Sequence, residues 1–160
     1  MAFITFDKAK LNHNYAFLDK MFKSHNIKWS IVSKLLCGNR DYVKILCETG
    51  ITEICDARIS NLELVKNINP NIQTVYIKPP AKRSIKSIVK YADVSFNTQI
   101  ETIKWLSEEA GRQNKTHKIV IMLEMGDLRE GVMGDDLVDF YESVFKLPNI
   151  EVVSFGTNLN

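Results

Sequence analysis

A lysine at the end of an apolar segment is the residue of this chain best suited to chemistry. Residues 27–34 have the sequence Ile-Lys-Trp-Ser-Ile-Val-Ser-Lys, so Lys34 closes a predicted strand, and Gly38 and a predicted helix follow. In α/β barrels the catalytic groups lie at the carboxyl ends of the strands. A lysine there can form a Schiff base when partial desolvation lowers its pKa. The alternative is an ordinary lysine that extends from a strand end into solvent.

Other polar side chains follow the later predicted strands. They are Asp56, Arg58, Lys78, Asn97, Glu124, Asp127, Arg129, Thr157 and Asn158. The carboxyl ends of parallel strands share one edge of a sheet, so these residues predict a polar rim of the kind an active site requires. Loops of any α/β sheet are polar, so this pattern alone does not identify an active site.

One glycine-framed loop carries a further candidate. Gly126 and Gly131 frame Arg129 directly after the most apolar predicted strand. Glycines let the backbone approach a bound group closely, and a fixed guanidinium can hold a phenolate or a carboxylate. The alternative is a loop arginine paired with Asp127 or Glu130 in solvent.

Several classes of site have no support in the sequence. Neither Gly-x-Gly-x-x-Gly nor Gly-x-x-x-x-Gly-Lys-Ser/Thr occurs, which disfavours a dinucleotide fold and a P-loop. The histidines lie in separate predicted elements and the cysteines lack Cys-x-x-Cys spacing, so no metal site and no disulfide framework is predicted. These residues are His13, His25, His117, Cys37, Cys47 and Cys55. We expect reduced thiols, with Cys37 and Cys55 as buried small side chains.

Composition indicates one soluble globular domain. The chain has 160 residues, 45% of them hydrophobic and 25% charged, with a net charge of +2. That charge is too small to indicate nucleic acid or a membrane surface as the partner. No signal-peptide pattern and no apolar run of about 18 residues is present, so a cytoplasmic protein is expected.

Apolar periodicity predicts strands that alternate with helices. The predicted strands are 3–6, 27–34, 53–57, 72–78, 94–97, 117–125 and 150–155, and the clearest helices are 8–24 and 136–146. Asp7 and Asn39 are predicted helix caps, and Gly50 is a predicted helix stop in the C′ position. Ser60 and Thr98, each three residues before a glutamate, predict capping boxes.

Six of these strands, from residue 27 onward, form right-handed βαβ units and hence a parallel sheet. Two architectures fit: a doubly wound sheet, or part of a (β/α)₈ barrel that needs eight strands and about 250 residues. The last predicted strand is followed by a loop at residues 156–160, and no predicted helix covers the outer face of that strand, which favours part of a barrel over a complete doubly wound sheet. Residues 1–160 are therefore expected to be the amino-terminal part of a barrel, truncated before its last strands.

Several spaced segments resemble the alanine racemase amino-terminal domain, and most closely the predicted amino-acid racemases of the ornithine-racemase type. The matching segments are residues 4–15, Ser33-Lys34, and residues 56–62, 97–103, 126–131 and 156–159. The resemblance implies a barrel of fold-type III that binds pyridoxal 5'-phosphate, with Lys34 as catalytic and cofactor-binding lysine. It also implies an amino-acid racemase, a homodimer and a cofactor contact from Arg129. Asn158 lies where classical alanine racemases have a histidine near the cofactor ring, so the resemblance implies a cofactor contact there too, although the residue type differs. In alanine racemases a tyrosine of the second subunit protonates the other face.

The resemblance is incomplete after the lysine. Alanine racemases continue with Ala-Asp-Ala-Tyr-Gly, whereas this chain continues from Lys34 with Leu-Leu-Cys-Gly and lacks the tyrosine. Alanine is therefore a doubtful substrate, and the amino acid stays open among ornithine, lysine and alanine. The piece alone is expected to be inactive, and its open barrel edge to pair with another chain. Two alternatives remain: a non-catalytic pyridoxal-phosphate homeostasis protein of the same fold, or a cofactor-free α/β binding domain.

Overall fold

The structure, a computed structural model, describes residues 5–159. Its helices are α1 (Lys8–Ser24), α2 (Arg40–Cys47), α3 (Ile59–Ile68), α4 (Ile85–Tyr91), α5 (Ile100–Arg112) and α6 (Leu137–Phe145). Its strands are β1 (Ile31–Val32), β2 (Glu53–Asp56), β3 (Gln73–Tyr76), β4 (Val94–Asn97), β5 (His117–Leu123) and β6 (Ile150–Thr157). The strand expected at 3–6 lies partly outside the described residues, and residues 5 and 6 belong to no strand. No described helix is long and apolar enough to cross a membrane.

The six strands form one sheet whose order follows the chain, β1-β2-β3-β4-β5-β6. Every neighbouring pair is parallel. A doubly wound sheet reverses its strand order at a switch point, whereas a barrel adds each strand on the same side. The described strands therefore have barrel winding, in an open sheet with β1 and β6 at its edges, and the doubly wound alternative is excluded.

One face of the sheet carries the helices and most of the core. Leu62 of α3, Ile88 of α4, and Ile103 and Leu106 of α5 are fully buried against Ile119 of β5. Burial of each such side chain contributes about 1.5–3 kcal/mol. This packing fixes the strands that position the polar loops.

The opposite face forms a separate apolar cluster. Its buried members are Cys55, Val75, Val94, Val120 and Met122, and among the described residues none comes from a helix. Each alternates along its strand with a residue that faces the helices. Because these side chains are only 3–9% exposed without a covering layer, the sheet must curl so that they cover one another.

Local signals explain some helix ends and not others. Asp7 accepts a hydrogen bond from the Lys10 amide at 3.0 Å, so the predicted cap of α1 is confirmed. Asn39 likewise accepts from the Asp41 and Tyr42 amides, each at 3.1 Å. Gly50 has a left-handed φ of +92°, but it lies one residue beyond the predicted C′ position.

Both predicted capping boxes are wrong. Helix α3 begins at Ile59 and α5 at Ile100, so Ser60 lies inside a helix and Thr98 lies before the capping residue. Neither helix has a side-chain cap at its own N-cap residue. At α3 the amide of the N-cap residue Arg58 donates to the buried Asp56 carboxylate at 2.8 Å.

Candidate functional site

Lys34 lies at the carboxyl end of β1, as predicted, but in a turn rather than in a strand. The strand covers only Ile31–Val32, and a 3₁₀ turn runs from Lys34 to Leu36. The Leu36 amide donates to the Ser33 carbonyl and the Cys37 amide to that of Lys34, which ends the extended pairing early. The described residues leave the Lys34 side chain exposed, so they do not supply the partly desolvated environment expected from the sequence.

A buried carboxylate lies directly behind this turn. Asp56 is fully buried, and its Oδ2 accepts hydrogen bonds from Ser33 Oγ at 2.7 Å and Asn61 Nδ2 at 3.1 Å. Its Oδ1 accepts from the Arg58 amide at 2.8 Å. The sequence placed Asp56 at the polar rim, and that prediction is wrong. Cys55 occupies the helix-free face, so the next residue along β2 faces the helices.

Asn97 was also predicted to lie at the polar rim, and that prediction is wrong for the same reason. It is fully buried at the end of β4, and its Nδ2 donates to the carbonyl and the hydroxyl of Ser95, each at 2.9 Å. Ser95 Oγ also lies 2.9 Å from Nε2 of the buried His117. Burial lowers the pKa of His117 from its usual 6.5 to about 4, so the ring is neutral at pH 7. Asn97, Ser95 and His117 are thus linked by hydrogen bonds in the buried interior and do not lie at the polar rim.

The loop after β5 is closed on itself. The Val132 amide donates to the Met122 carbonyl at 2.7 Å, and the Glu124 amide donates to the Val132 carbonyl at 3.0 Å. Glu124 Oε1 accepts from the Gly126 amide at 2.6 Å and the Leu128 amide at 3.1 Å. These backbone donors hold the pKa of Glu124 below its usual value. The loop is therefore held in one shape at the carboxyl end of β5.

Arg129 projects from this loop toward solvent. Its side chain is 60% exposed, with Nε 3.9 Å from Asp127 and a terminal nitrogen 3.7 Å from Glu130. This geometry matches the solvent-paired alternative drawn from the sequence, although both ion pairs are long. Such pairs are worth at most about 1 kcal/mol, so the guanidinium can turn toward an anion at little cost.

Two polar groups near the loop lack hydrogen bonds within the described residues. Both Asp127 carboxylate oxygens and the Asn158 Nδ2 are buried and lack a hydrogen bond within the described residues. An unpaired buried donor or acceptor costs about 1–3 kcal/mol. A bound polar ligand that paired with them would remove that cost.

The three predicted site residues share one end of the sheet but not one strand pair. Asn158 follows β6 and Arg129 follows its neighbour β5, whereas Lys34 follows β1 at the opposite edge. Strands β2 to β4 separate Lys34 from the other two residues in the sheet. The structure thus brings Arg129 and Asn158 to neighbouring strand ends and places Lys34 at the opposite edge of the open sheet.

The thiols differ in access. Cys37 is exposed in the Lys34 turn, so its expected burial is wrong, while Cys55 and Cys47 are buried as free cysteines. Desolvation raises the pKa of Cys55 to about 11. No group of histidine, cysteine, aspartate and glutamate in residues 5–159 could hold a metal ion.

Comparison with known proteins identifies the family. A model of the alanine racemase N-terminal domain matches residues 6–160. The chain belongs to this family. It is 35% identical over 157 residues to ornithine racemase of Acetoanaerobium sticklandii, which covers 98% of the chain and 44% of that protein. Lysine racemase of Thermotoga maritima is 25% identical over 127 residues, covering 79% of the chain and 35% of that protein.

Solved structures agree on the fold of this family member. PipY of Synechococcus elongatus superposes with a TM-score of 0.78 at 12% identity, covering 93% of the chain and 73% of that protein. PipY has also been solved with pyridoxal phosphate bound. The chain spans less than half the length of the two racemases to which it is similar.

The residues present fit the cofactor that the family implies. Pyridoxal phosphate carries an aldehyde, a phenolate oxygen and a ring, and this end of the sheet offers an exposed amine on Lys34 and a weakly paired guanidinium on Arg129. The unpaired Asn158 Nδ2 adds a buried donor that needs an acceptor. The sequence found these three residues. It gave no sign of the Ser33 and Asn61 contacts, because hydrogen bonds between distant residues leave no local pattern.

Proposed function

We propose that the full-length protein is a pyridoxal-phosphate-dependent amino-acid racemase that acts on a diamino acid such as ornithine. One observation carries the proposal: in a chain of this family, Lys34 lies at the carboxyl end of β1, the first strand among the described residues of a barrel-type sheet. The 35% identity with an ornithine racemase supports the substrate class. The missing tyrosine after Lys34 argues against alanine.

Each residue has a defined role in this proposal. When bound, pyridoxal phosphate supplies the electron sink that makes the α-proton of an amino acid removable. Lys34 Nζ would bind the cofactor and would move a proton on one face of the α-carbon. Arg129 would hold the phenolic oxygen, and Asn158 would contact the ring. The proton donor for the opposite face comes from elsewhere in a homodimer of the full-length protein.

Chiral chromatography of L-ornithine incubated with the full-length protein and pyridoxal phosphate tests the proposal. We expect D-ornithine to accumulate to an equal mixture, faster than the corresponding reactions of lysine and alanine. Lys34→Ala should lose at least about 100-fold in rate, the usual contribution of a positioned acid–base group. Lys118→Ala is the matched control, because Lys118 is exposed at the opposite end of the sheet.

Two other results would contradict the proposal in different ways. Cofactor binding through Lys34 with no racemisation of any of the three amino acids would indicate the non-catalytic binding protein of the same fold. Absence of cofactor binding would favour the cofactor-free domain.

A further inference from the structure

We propose that Asp56 is a positioning residue that fixes both ends of the turn carrying Lys34. The inference rests on the proposed role of Lys34 and adds Asp56, the last residue of β2, which lies on the face of the sheet that the helices cover. The turn from Ser33 to Gly38 joins β1 to the loop before α2. Its amino end bonds to the Asp56 carboxylate through Ser33, and its carboxyl end leaves no room for a Cβ beside Asn61, which also bonds to Asp56.

The first anchor is Ser33, the residue directly before the lysine. Its amide donates to the Cys55 carbonyl at 2.9 Å, which extends the pairing of β1 with β2 by one residue. Its hydroxyl donates to Asp56 Oδ2 at 2.7 Å, and the side chain is almost fully buried. A charge-assisted hydrogen bond of this length is about twice as strong as a neutral one. The backbone on the amino side of Lys34 is therefore fixed in position and direction.

The second anchor is Gly38, at the other end of the turn. Asn61 donates from Nδ2 to Asp56 Oδ2, and its own Oδ1 would lie 2.6 Å from a Cβ placed on Gly38. Only a glycine can approach the amide so closely. Gly38 also has a left-handed φ of +73°, which favours glycine for a second reason. The carbonyl oxygen of Asn61 points at the turn because its amide nitrogen is held by Asp56.

The hydrogen bonds of this network restrict movement of the turn. Asp56 is fully buried, and the Arg58 amide binds its remaining oxygen at 2.8 Å. Three donors on a carboxylate with no access to water leave one arrangement of low energy. Lys34 thus projects from a short turn held at both ends, which reduces the ordering required when its amine binds a ligand.

The Asp56→Asn variant of the full-length protein reverses the polarity at the centre of the network. An amide nitrogen would then face either the Arg58 amide or Asn61 Nδ2, both of which donate to the carboxylate, and turning the Asn61 amide to meet it would present nitrogen to Gly38. The double variant Asp56→Asn/Asn61→Asp restores a donor opposite an acceptor. Asp93→Asn is the control, because Asp93 accepts from the amide and hydroxyl of Thr74 and ties β3 to the start of β4 far from Lys34.

The measurement is the rate at which pyridoxal phosphate attaches to Lys34, followed by borohydride reduction and peptide mapping by mass spectrometry. Acetic anhydride labelling of Lys34 relative to Lys118, as a function of pH, gives a second readout that does not need the cofactor. Both are made at a temperature where circular dichroism shows each variant folded. A purely stabilising role would lower the melting temperature and leave both readouts unchanged.

We expect Asp56→Asn to slow attachment at least about tenfold, since a misplacement of about 1 Å can cost 100-fold. The double variant should recover most of that loss, and Asp93→Asn should attach cofactor at the wild-type rate. A folded Asp56→Asn protein with wild-type attachment and labelling would overturn the inference and leave the proposed function intact. No attachment in the wild-type protein would overturn both.

A milder pair of variants covers the case in which Asp56→Asn does not fold. Ser33→Ala removes the hydroxyl bond of the first anchor to Asp56 and keeps its backbone bond to Cys55, and Gly38→Ala forces Asn61 away from the second anchor. Each should slow attachment by several-fold. Wild-type rates in both would overturn the inference.

Discussion

Gly131 permits the closest backbone approach in the site loop, and its replacement by alanine is the sharpest test of that loop's geometry. A Cβ at this position would lie 2.1 Å from the Glu124 amide nitrogen and 2.4 Å from the Leu123 carbonyl carbon. Both are main-chain atoms of β5 or its end, so neither can turn away as a flexible side chain could. The loop that carries Arg129 must therefore move off the strand.

The cost follows from the contacts that this movement breaks. The two backbone hydrogen bonds of Val132 with Met122 and Glu124 contribute about 0.5–1.5 kcal/mol each. Overpacking without movement costs a similar 1–3 kcal/mol. We expect Gly131→Ala to lower the free energy of unfolding by about 1–3 kcal/mol, or the melting temperature by about 2–12 °C for a domain of this size.

Gly134→Ala is the matched control. A Cβ at Gly134 meets nothing within 4 Å, and the residue lies outside the left-handed region. Urea denaturation followed by circular dichroism, with both variants and the wild type, gives the difference. Gly131→Ala and Gly134→Ala proteins of equal stability would refute the close approach. Weaker binding of pyridoxal phosphate by Gly131→Ala alone would connect the loop to the cofactor site.

Three further expectations concern titration, thiol access and assembly. The pKa of His117 is about 4 in the folded protein and 6.5 in the unfolded chain, so the contribution of the neutral ring to the free energy of unfolding is fully present above pH 6.5 and falls by about 3 kcal/mol toward pH 4. The urea midpoints of the wild type and His117→Gln should therefore converge as the pH is lowered. Cys37 should react with a disulfide reagent in the folded protein while Cys55 does not, and Cys37→Ser should remove the fast phase. The homodimer expected from the family resemblance is checked by light scattering of the full-length protein, where a monomeric mass would contradict it.

Strong periodic signals predicted the framework well. Helix α1 and strand β4 have the predicted bounds, because Asp7 caps α1, and β4 lies between the end of α4 and the start of α5. The six-stranded parallel sheet and the position of Lys34 at a strand end also followed from apolar patterning. The barrel winding came from the family resemblance and the chain's last strand, and the strand order confirms it.

Finer features depended on tertiary contacts that no local pattern encodes. Asp56 and Asn97 were expected at the rim, but a shift of one residue along a strand turns a side chain to the opposite face of the sheet. The early end of β1 depends on the turn that Asp56 anchors through Ser33. Cys37 was expected to be buried, yet it has a left-handed φ of +50° at the end of the exposed turn.

The central claim is that Lys34 is the residue that binds pyridoxal phosphate. The most direct measurement is borohydride reduction of the full-length protein after incubation with the cofactor, followed by mass spectrometry of its peptides. The account predicts one reduced adduct, on Lys34, and its loss in Lys34→Ala but not in Lys118→Ala. An adduct on another lysine, or no adduct at all in the wild-type protein, would contradict the account.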